Sequence, residues 1–272
     1  MNNKFHLKAK KSLGQNFLKD KKIIDKIIKA GELKKGDIVL EVGPGKGHLT
    51  QRLLENDIVL FAVEKDKRLY DFLEEKFQKE IKEKKFFLIK DDVLNLDFGN
   101  LGLKNQKFKI IANLPYYITG LFISKTLENK IVPSLMVLLL QKEVVERVTD
   151  SEKNKKENIF SLSIKVFGKA KYIITVSKKL FKPVPKIDSA VLQISDISKE
   201  NFKKNNITEQ EFFEFIKSAF SNKRKQMLKN LSLKYNKEKL VKIFDQMKID
   251  QKTRAEDLNL EIFLEILKRY YD

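Results

Sequence analysis

Asn113-Leu114-Pro115-Tyr116 follows directly on the apolar run Phe108-Lys109-Ile110-Ile111-Ala112. A side-chain amide beside an aromatic ring and a rigid proline turn, at the end of a buried strand, is what gripping a planar base by its exocyclic amine requires. The Asn113 amide oxygen and a backbone carbonyl, that of Leu114, can accept the two N–H bonds of such an amine, and the Tyr116 ring can stack on the base. Upstream, Glu41-Val42-Gly43-Pro44-Gly45-Lys46-Gly47 offers a nucleotide-binding turn. Glycines after a strand let the backbone turn sharply against a ligand, and the helix they open presents free N–H groups. The spacing G-x-G-x-G departs from the dinucleotide G-x-G-x-x-G, which disfavours a nicotinamide cofactor. Glu64 ends the next strand-like run, where a carboxylate can accept both hydroxyl hydrogens of a ribose. Asp92, in Lys90-Asp91-Asp92-Val93-Leu94, lies past the third run and can accept the amino hydrogens of an adenine. Asp91 competes with it, and spacing does not separate the two. Each feature alone could be an ordinary turn or a solvated acid. Together they line the carboxyl edge of a sheet, where ligands bind in open α/β folds.

The elements that must hold these residues are legible. Residues 38–42, 58–63, 86–89, 108–112 and 135–140 are short, nearly continuous apolar runs, as expected of strands covered on both faces. Helical patterns over 48–55, 67–79, 120–127 and 143–148 alternate with them, which predicts a parallel, doubly wound sheet. Residues 171–176 and 189–194, joined by a proline-bearing loop, read as a closing antiparallel pair. Asp20 can cap a helix whose Ile23, Ile24, Ile27 and Ile28 face the core. After Ser195 the character changes: 199–206 is polar, a candidate linker. Beyond it only helical patterns remain, over 208–220, 225–231, 237–247 and 260–270. Thr208 with Glu211 has the form of a capping box. The predicted organisation is an α/β domain over 1–198, opened by a segment 1–36, and a small all-helical domain over 199–272.

Composition narrows the functions available. At 272 residues the chain can bury a full core, and 42% hydrophobic residues is ordinary globular usage. Lys and Arg total 56 against 37 Asp and Glu, a net +19. A polyanionic partner is one reading; lysine enrichment in an AT-rich genome is the other, and charge alone weighs them equally. There is no cysteine, which removes disulfides, thiolate metal sites and thiol nucleophiles. His6 and His48 are the only histidines, and both read as surface residues, so no metal site is expected. The run 131–140 is too short for a membrane span and holds Pro133 and Ser134. The N-terminus is basic without an apolar signal core, so a soluble, cytoplasmic protein is expected.

The Asn113 tetrapeptide resembles those of amino-group methyltransferases, and in this form those of the ribosomal RNA adenine dimethyltransferases. The resemblance extends over nearly the whole chain. Leu13-Gly14-Gln15-Asn16-Phe17-Leu18-Lys19-Asp20 is similar to that family's segment covering the cofactor, and Gln141 to Arg147 to its motif after the fifth strand. Phe181-Lys182-Pro183-Val184-Pro185-Lys186-Ile187-Asp188-Ser189-Ala190-Val191 is similar to its late loop. Phe220 to Leu228 and Arg254-Ala255-Glu256-Asp257-Leu258 are similar to its helical tail. The resemblance implies a Rossmann-like methyltransferase fold and transfer of methyl groups from S-adenosyl-L-methionine to adenine N6, leaving S-adenosyl-L-homocysteine. It implies cofactor contacts from Asn16, Leu18, Gly43, Gly45, Glu64, Asp92 and Asn113. Around the target base it implies Asn113, Leu114, Pro115 and Tyr116, with Phe181 as the second flanking ring. One departure is Lys46, where relatives often carry an apolar residue; it is expected to face solvent.

The implied substrate is a pair of adjacent adenosines in a hairpin loop near the 3′ end of 16S rRNA, within a small ribosomal subunit or its precursor, and the protein is expected to act as a monomer. Lys223, Arg224, Lys225 and Lys229 are candidate phosphate contacts, with Lys8, Lys10 and Lys11 near the N-terminus. A 23S-directed relative of the macrolide-resistance type is the nearest alternative; Leu114, the 185–190 segment and the 254–258 tail favour the small-subunit group. An RNA-binding assembly factor with secondary catalysis is the alternative of a different class.

Overall fold

The computed structural model describes residues 7–149 and 156–272, and His6 lies outside them. Asp20 accepts the Ile23 N–H at 2.9 Å and so starts helix α1 (Lys21–Ala30). Ile23, Ile24 and Ile27 are buried on its inner face, and Ile28 packs partly buried against the same core. The strands are β1 (Phe17–Leu18), β2 (Ile38–Val42), β3 (Val59–Val63), β4 (Phe86–Ile89), β5 (Lys109–Asn113), β6 (Leu135–Gln141), β7 (Lys169–Val176), β8 (Phe181–Lys182) and β9 (Ser189–Ser195). Seven of them form one sheet in the order β4-β3-β2-β5-β6-β9-β7. The β4-β3-β2-β5-β6 ladders are parallel, and β9 runs antiparallel to β6. This is the doubly wound sheet that the alternating runs predict, in the Rossmann-like form that the resemblance implies. β1 and β8 pair separately, as a two-stranded ribbon.

The strand order fixes where a ligand can sit. From β2 the chain moves outward through β3 to β4, then returns to place β5 on the other side of β2. The connections leaving β2 and β5 therefore diverge, opening a crevice at their carboxyl ends. The glycine turn follows β2 and the Asn113 turn follows β5, so both occupy that crevice.

Helices α2 (His48–Leu54), α3 (Lys67–Lys76), α4 (Gln78–Lys82) and α5 (Thr119–Glu128) connect these strands. The helix predicted over 67–79 is broken at Phe77, which leaves helical geometry at φ −113°, ψ 27°. Its ring turns inward to meet Phe86 edge-on at 5.5 Å, so burial of one aromatic overrides a continuous helical pattern.

Among the described residues, contacts divide the chain into a unit drawn from Met1–Val145 with Ala170–Ile197 and another from Glu146–Lys169 with Ser198–Asp272. Residues 146–149 and 156–169, placed with the first domain by sequence, thus group with the helical one. The expected linker is also absent as such: Glu200–Lys204 is helical, and Phe202 is buried against Phe167 and Phe212 at 5.3 and 5.9 Å. One phenylalanine in a charged stretch is enough to tie it down. The capping box at Thr208 forms, with Glu211 N–H on Thr208 Oγ1 at 3.1 Å and Thr208 N–H on Glu211 Oε2 at 2.7 Å.

Candidate active site

Between the glycine turn and the Asn113 turn lies a cavity whose wall includes Gly43, Gly45, Glu64, Asp92, Asn113, Leu114, Pro115 and Tyr116. Gly43, Gly45 and Gly47 all take left-handed φ, at 66°, 60° and 72°. A Cβ on Gly43 would meet nothing within 4 Å, because the backbone there borders open space. A Cβ on Gly45 would stand 2.9 Å from Phe17 Cε1. The turn is thus shaped on one side for a ligand and on the other for the N-terminal segment.

Glu64 is buried and accepts the Gly45 N–H at 3.2 Å through Oε2 and the Asp66 N–H at 2.8 Å through Oε1. Burial raises its pKa, while the backbone donors oppose that rise. Each oxygen keeps a lone pair for a ribose hydroxyl. Asp92 is half-buried; Oδ2 takes Lys65 Nζ at 2.7 Å and Oδ1 the Leu94 N–H at 3.0 Å. The Lys65 hydrogen bond holds its carboxyl below the ordinary range. Asp91 also lines the cavity but is exposed, and its Oδ1 accepts the Asp92 N–H at 2.6 Å.

Asn113 Nδ2 donates to the Asn16 carbonyl at 3.0 Å. Only the NH2 end of an amide can satisfy a carbonyl, so this bond fixes the flip and leaves Oδ1 as an acceptor. Tyr116 is half-buried, its hydroxyl 2.8 Å from Ser189 Oγ, and burial pushes its pKa up. Leu114 is buried and lines the cavity, as does the exposed Tyr117. Phe181, expected to flank a base, is 3% exposed and lies outside this wall, in the core beside Leu18, its partner across β1–β8. As placed, no face of its ring is open to a base. Lys46 does not simply face solvent: it lines the cavity half-buried, its Nζ 5.2 Å from the Phe17 ring centroid. His48, read as a surface residue, is half-buried in the same wall.

The sequence reading missed the residues that fasten the N-terminal wall. Asp66 is buried and accepts Arg68 Nε and Nη2 at 3.1 and 2.6 Å, Gln15 Nε2 at 3.0 Å and Lys10 Nζ at 3.4 Å. The Arg68 hydrogen bonds hold its carboxyl far below the usual carboxylate range. Lys10, itself exposed, is therefore engaged in protein; Lys8, Lys11, Lys223, Arg224, Lys225 and Lys229 are also exposed. The side chain of Asn230 braces the loop carrying three of them, with Nδ2 on the carbonyls of Ala219 and Asn222 at 2.8 and 3.0 Å.

Glu41, at the head of the glycine motif, is 1% exposed and accepts a hydrogen bond from Thr50 Oγ1 at 2.7 Å. Burial pushes its carboxyl up to about 8, with the Thr50 bond opposing. The folded chain therefore holds a proton here that the unfolded chain releases near the ordinary value of 4.5. Stability of the cofactor-free protein should fall as pH rises from about 4.5 to about 8, and Glu64 acts in the same direction. Glu41→Gln keeps an acceptor for Thr50 and removes the proton. Urea unfolding at about pH 5 and about pH 8 should then show a smaller decline than wild type; an equal decline would refute a protonated Glu41.

Among the described residues no group of three or more His, Asp or Glu is placed to hold a metal ion, and no helix is long and apolar enough to cross a membrane. A family model described as ribosomal RNA adenine dimethylase matches residues 6–272. A ribosomal RNA small subunit methyltransferase A of Fusobacterium nucleatum is 38% identical over 96% of this chain and 97% of its own. The protein of that name from Mycoplasmopsis pulmonis is 38% identical over 94% and 97%. In fold, the chain is similar to a dimethyladenosine transferase from Plasmodium falciparum (TM-score 0.76, 24% identity, 92% and 95% covered). It is also similar to the 23S rRNA methyltransferase ErmE (TM-score 0.72, 21% identity, 94% and 100% covered).

Proposed function

The chain belongs to the ribosomal RNA adenine dimethylase family, and from that premise we propose that it methylates N6 of two adjacent adenosines in the 3′-terminal hairpin loop of 16S rRNA. It is an S-adenosylmethionine-dependent rRNA adenine dimethyltransferase. The small-subunit target follows the names of the relatives that match over nearly their whole length. We further assign it S-adenosyl-L-homocysteine as product, no metal, a monomeric state and a cytoplasmic place of action on the small subunit or its precursor.

The observation that carries this reading is the fixed Asn113 amide, which presents an acceptor oxygen at the wall of a cavity shaped for a nucleoside cofactor. Gly43 and Gly45 would let the cofactor approach the backbone; Glu64 would take its ribose and Asp92 its adenine, with Asn16 and Leu18 closing the near side. Bound there, S-adenosylmethionine supplies a methyl group already activated on a sulfonium. The chain's own task is the acceptor, whose N6 lone pair is delocalised into the ring. Asn113 Oδ1 and the Leu114 carbonyl accept the two N–H bonds, drawing the nitrogen toward a tetrahedral shape with its lone pair free. No strong base is required, since the proton can leave after the methyl has arrived. Positioning can supply about 7–11 kcal/mol of the barrier.

A base must leave its stack to reach this wall, at a cost of a few kcal/mol that is lowest in a loop. Stacking on Tyr116 returns about 1–3 kcal/mol. Lys223, Arg224, Lys225 and Lys229 would hold the RNA backbone. Tyr116→Ala should lower kcat/KM for RNA by about tenfold to a hundredfold, while cofactor affinity measured by calorimetry changes less. Loss of cofactor affinity larger than the loss of turnover would remove the stacking role. The reading as a whole is tested by supplying labelled cofactor with undermethylated 30S and with 50S particles and mapping the methylated adenines by mass. Transfer to 50S alone would replace the 16S target with a 23S one.

A further inference from the structure

Three lysines stand around one aromatic ring at the edge of the cofactor cavity, and the reaction described above gives them nothing to do. In the β1–β8 ribbon Phe17 faces Lys182 and Leu18 faces Phe181. Directly opposed residues share a face with Cβ atoms about 5 Å apart. Leu18 and Phe181 take the inner face, at 6% and 3% exposure. Phe17 and Lys182 therefore share the outer one. Lys19, one step past Leu18 and hydrogen-bonded through its N–H to the Leu180 carbonyl at 3.5 Å, returns to that outer face by the strand period. Lys46 reaches the same ring from the glycine turn, with Nζ 5.2 Å from the Phe17 centroid.

Among the described residues none of these three ammonium groups is in an ion pair with a carboxylate. The nearest acid in sequence, Asp20, is turned to the Ile23 N–H. The mutual repulsion is felt: burial lowers the Lys46 pKa, and the charges of Lys19 and Lys182 lower it further. Like charges gathered without a protein counter-ion, around a ring that holds one of them over its face, make a field suited to an external anion. The position selects the anion. Lys46 is in the cavity wall shared with Asn113, while Lys19 and Lys182 flank a separate, open depression bounded by Lys179 and Val184. A nucleotide turned out of its stack sends the base inward and leaves its phosphates outside.

We propose that Lys19, Lys46 and Lys182, arrayed around Phe17, form a seat for a backbone phosphate flanking the target adenosine. The seat is distinct from the exposed Lys223–Lys225 loop and rests on the reading of RNA as substrate. It grips the strand next to the reacting base, where a contact controls entry rather than general adhesion.

The test uses the full chain with undermethylated 30S particles. Lys19→Met with Lys182→Met, which lie outside the cofactor wall, should raise the KM for 30S about tenfold and make the log–log salt dependence of binding shallower by about one. Lys19→Arg with Lys182→Arg should restore both, which separates lost charge from lost structure. Lys46→Met should shift KM and salt slope in the same direction. Wild-type KM and slope in the double Met variant would overturn the seat. So would a Lys46→Met protein that loses affinity for S-adenosylmethionine without RNA yet keeps the wild-type salt slope, because the lysine would then serve the cofactor carboxylate. Failure of the unmodified protein to methylate 30S would instead remove the substrate reading beneath it.

Discussion

Asn113→Ala should lower methyl transfer by at least about a hundredfold at saturating RNA and cofactor, the loss typical of one oriented group acting on the reacting centre. The substitution removes the acceptor Oδ1 and also the Nδ2 bond to the Asn16 carbonyl. RNA affinity should change little, since the exposed Lys223, Arg224, Lys225 and Lys229 are untouched by the substitution. Single-turnover transfer and filter binding, measured on the same preparation, separate the two effects. Asn113→Asp sharpens the result: a carboxylate keeps an acceptor but cannot donate to Asn16, so it differs from the wild-type amide in charge and in how the acceptor is aimed. Turnover by the alanine variant near the wild-type rate would end the case for an amide-held amine.

Gly47→Ala should be the most damaging single methyl in the glycine turn. The residue sits at φ 72°, and an added Cβ would come within 2.6 Å of Phe77 Cε2 and 2.9 Å of Leu73 Cδ2. Both neighbours are buried, so neither can swing into solvent. Left-handed backbone costs an alanine about 1–2 kcal/mol, and overpacking adds about 1–3 kcal/mol. For a chain of this size the combination corresponds to a fall in the first unit's melting temperature of roughly 5–15 °C, read by calorimetry. Gly43→Ala is the matched comparison. It carries the same backbone cost at φ 66° but meets no atom within 4 Å. Its stability should fall less, and its Cβ would intrude on the cofactor instead. Equal melting temperatures for the two alanine variants would mean that the Phe77–Leu73 contact yields freely.

Much of this architecture is written locally. The five parallel strands are apolar on both faces, which shows as unbroken runs. The glycine turn shows because its left-handed backbone favours glycine, and the Asn113 turn because Asn and Pro are turn formers directly after an apolar run. What failed was set by distant partners. Phe181 is a flanking ring by family resemblance, yet its side is decided by pairing with Leu18, and the same ladder places Lys182 outward. Lys46 reads as solvated because nothing nearby in sequence announces Phe17 beneath it. Asp66 looks like one more charge before a helix; its four-way role depends on Gln15 and Lys10 returning to it. The helix Ile159–Lys165 did carry a legible signal, since Asn158 and Ser161 form a capping box. Its membership of the second unit did not, because that is decided by contacts such as Phe167 on Phe202.

The order in which the cavity's parts are synthesised bears on how the protein is born. Residues 13–18, made before every one of their partners, pair with Asp66, Asn113 and finally the Phe181–Lys182 strand. The earliest wall is the last to be fastened. The nascent sheet can assemble as its strands emerge, but the chamber stays open on one side until residue 182 has been made and its strand has paired with Phe17 and Leu18.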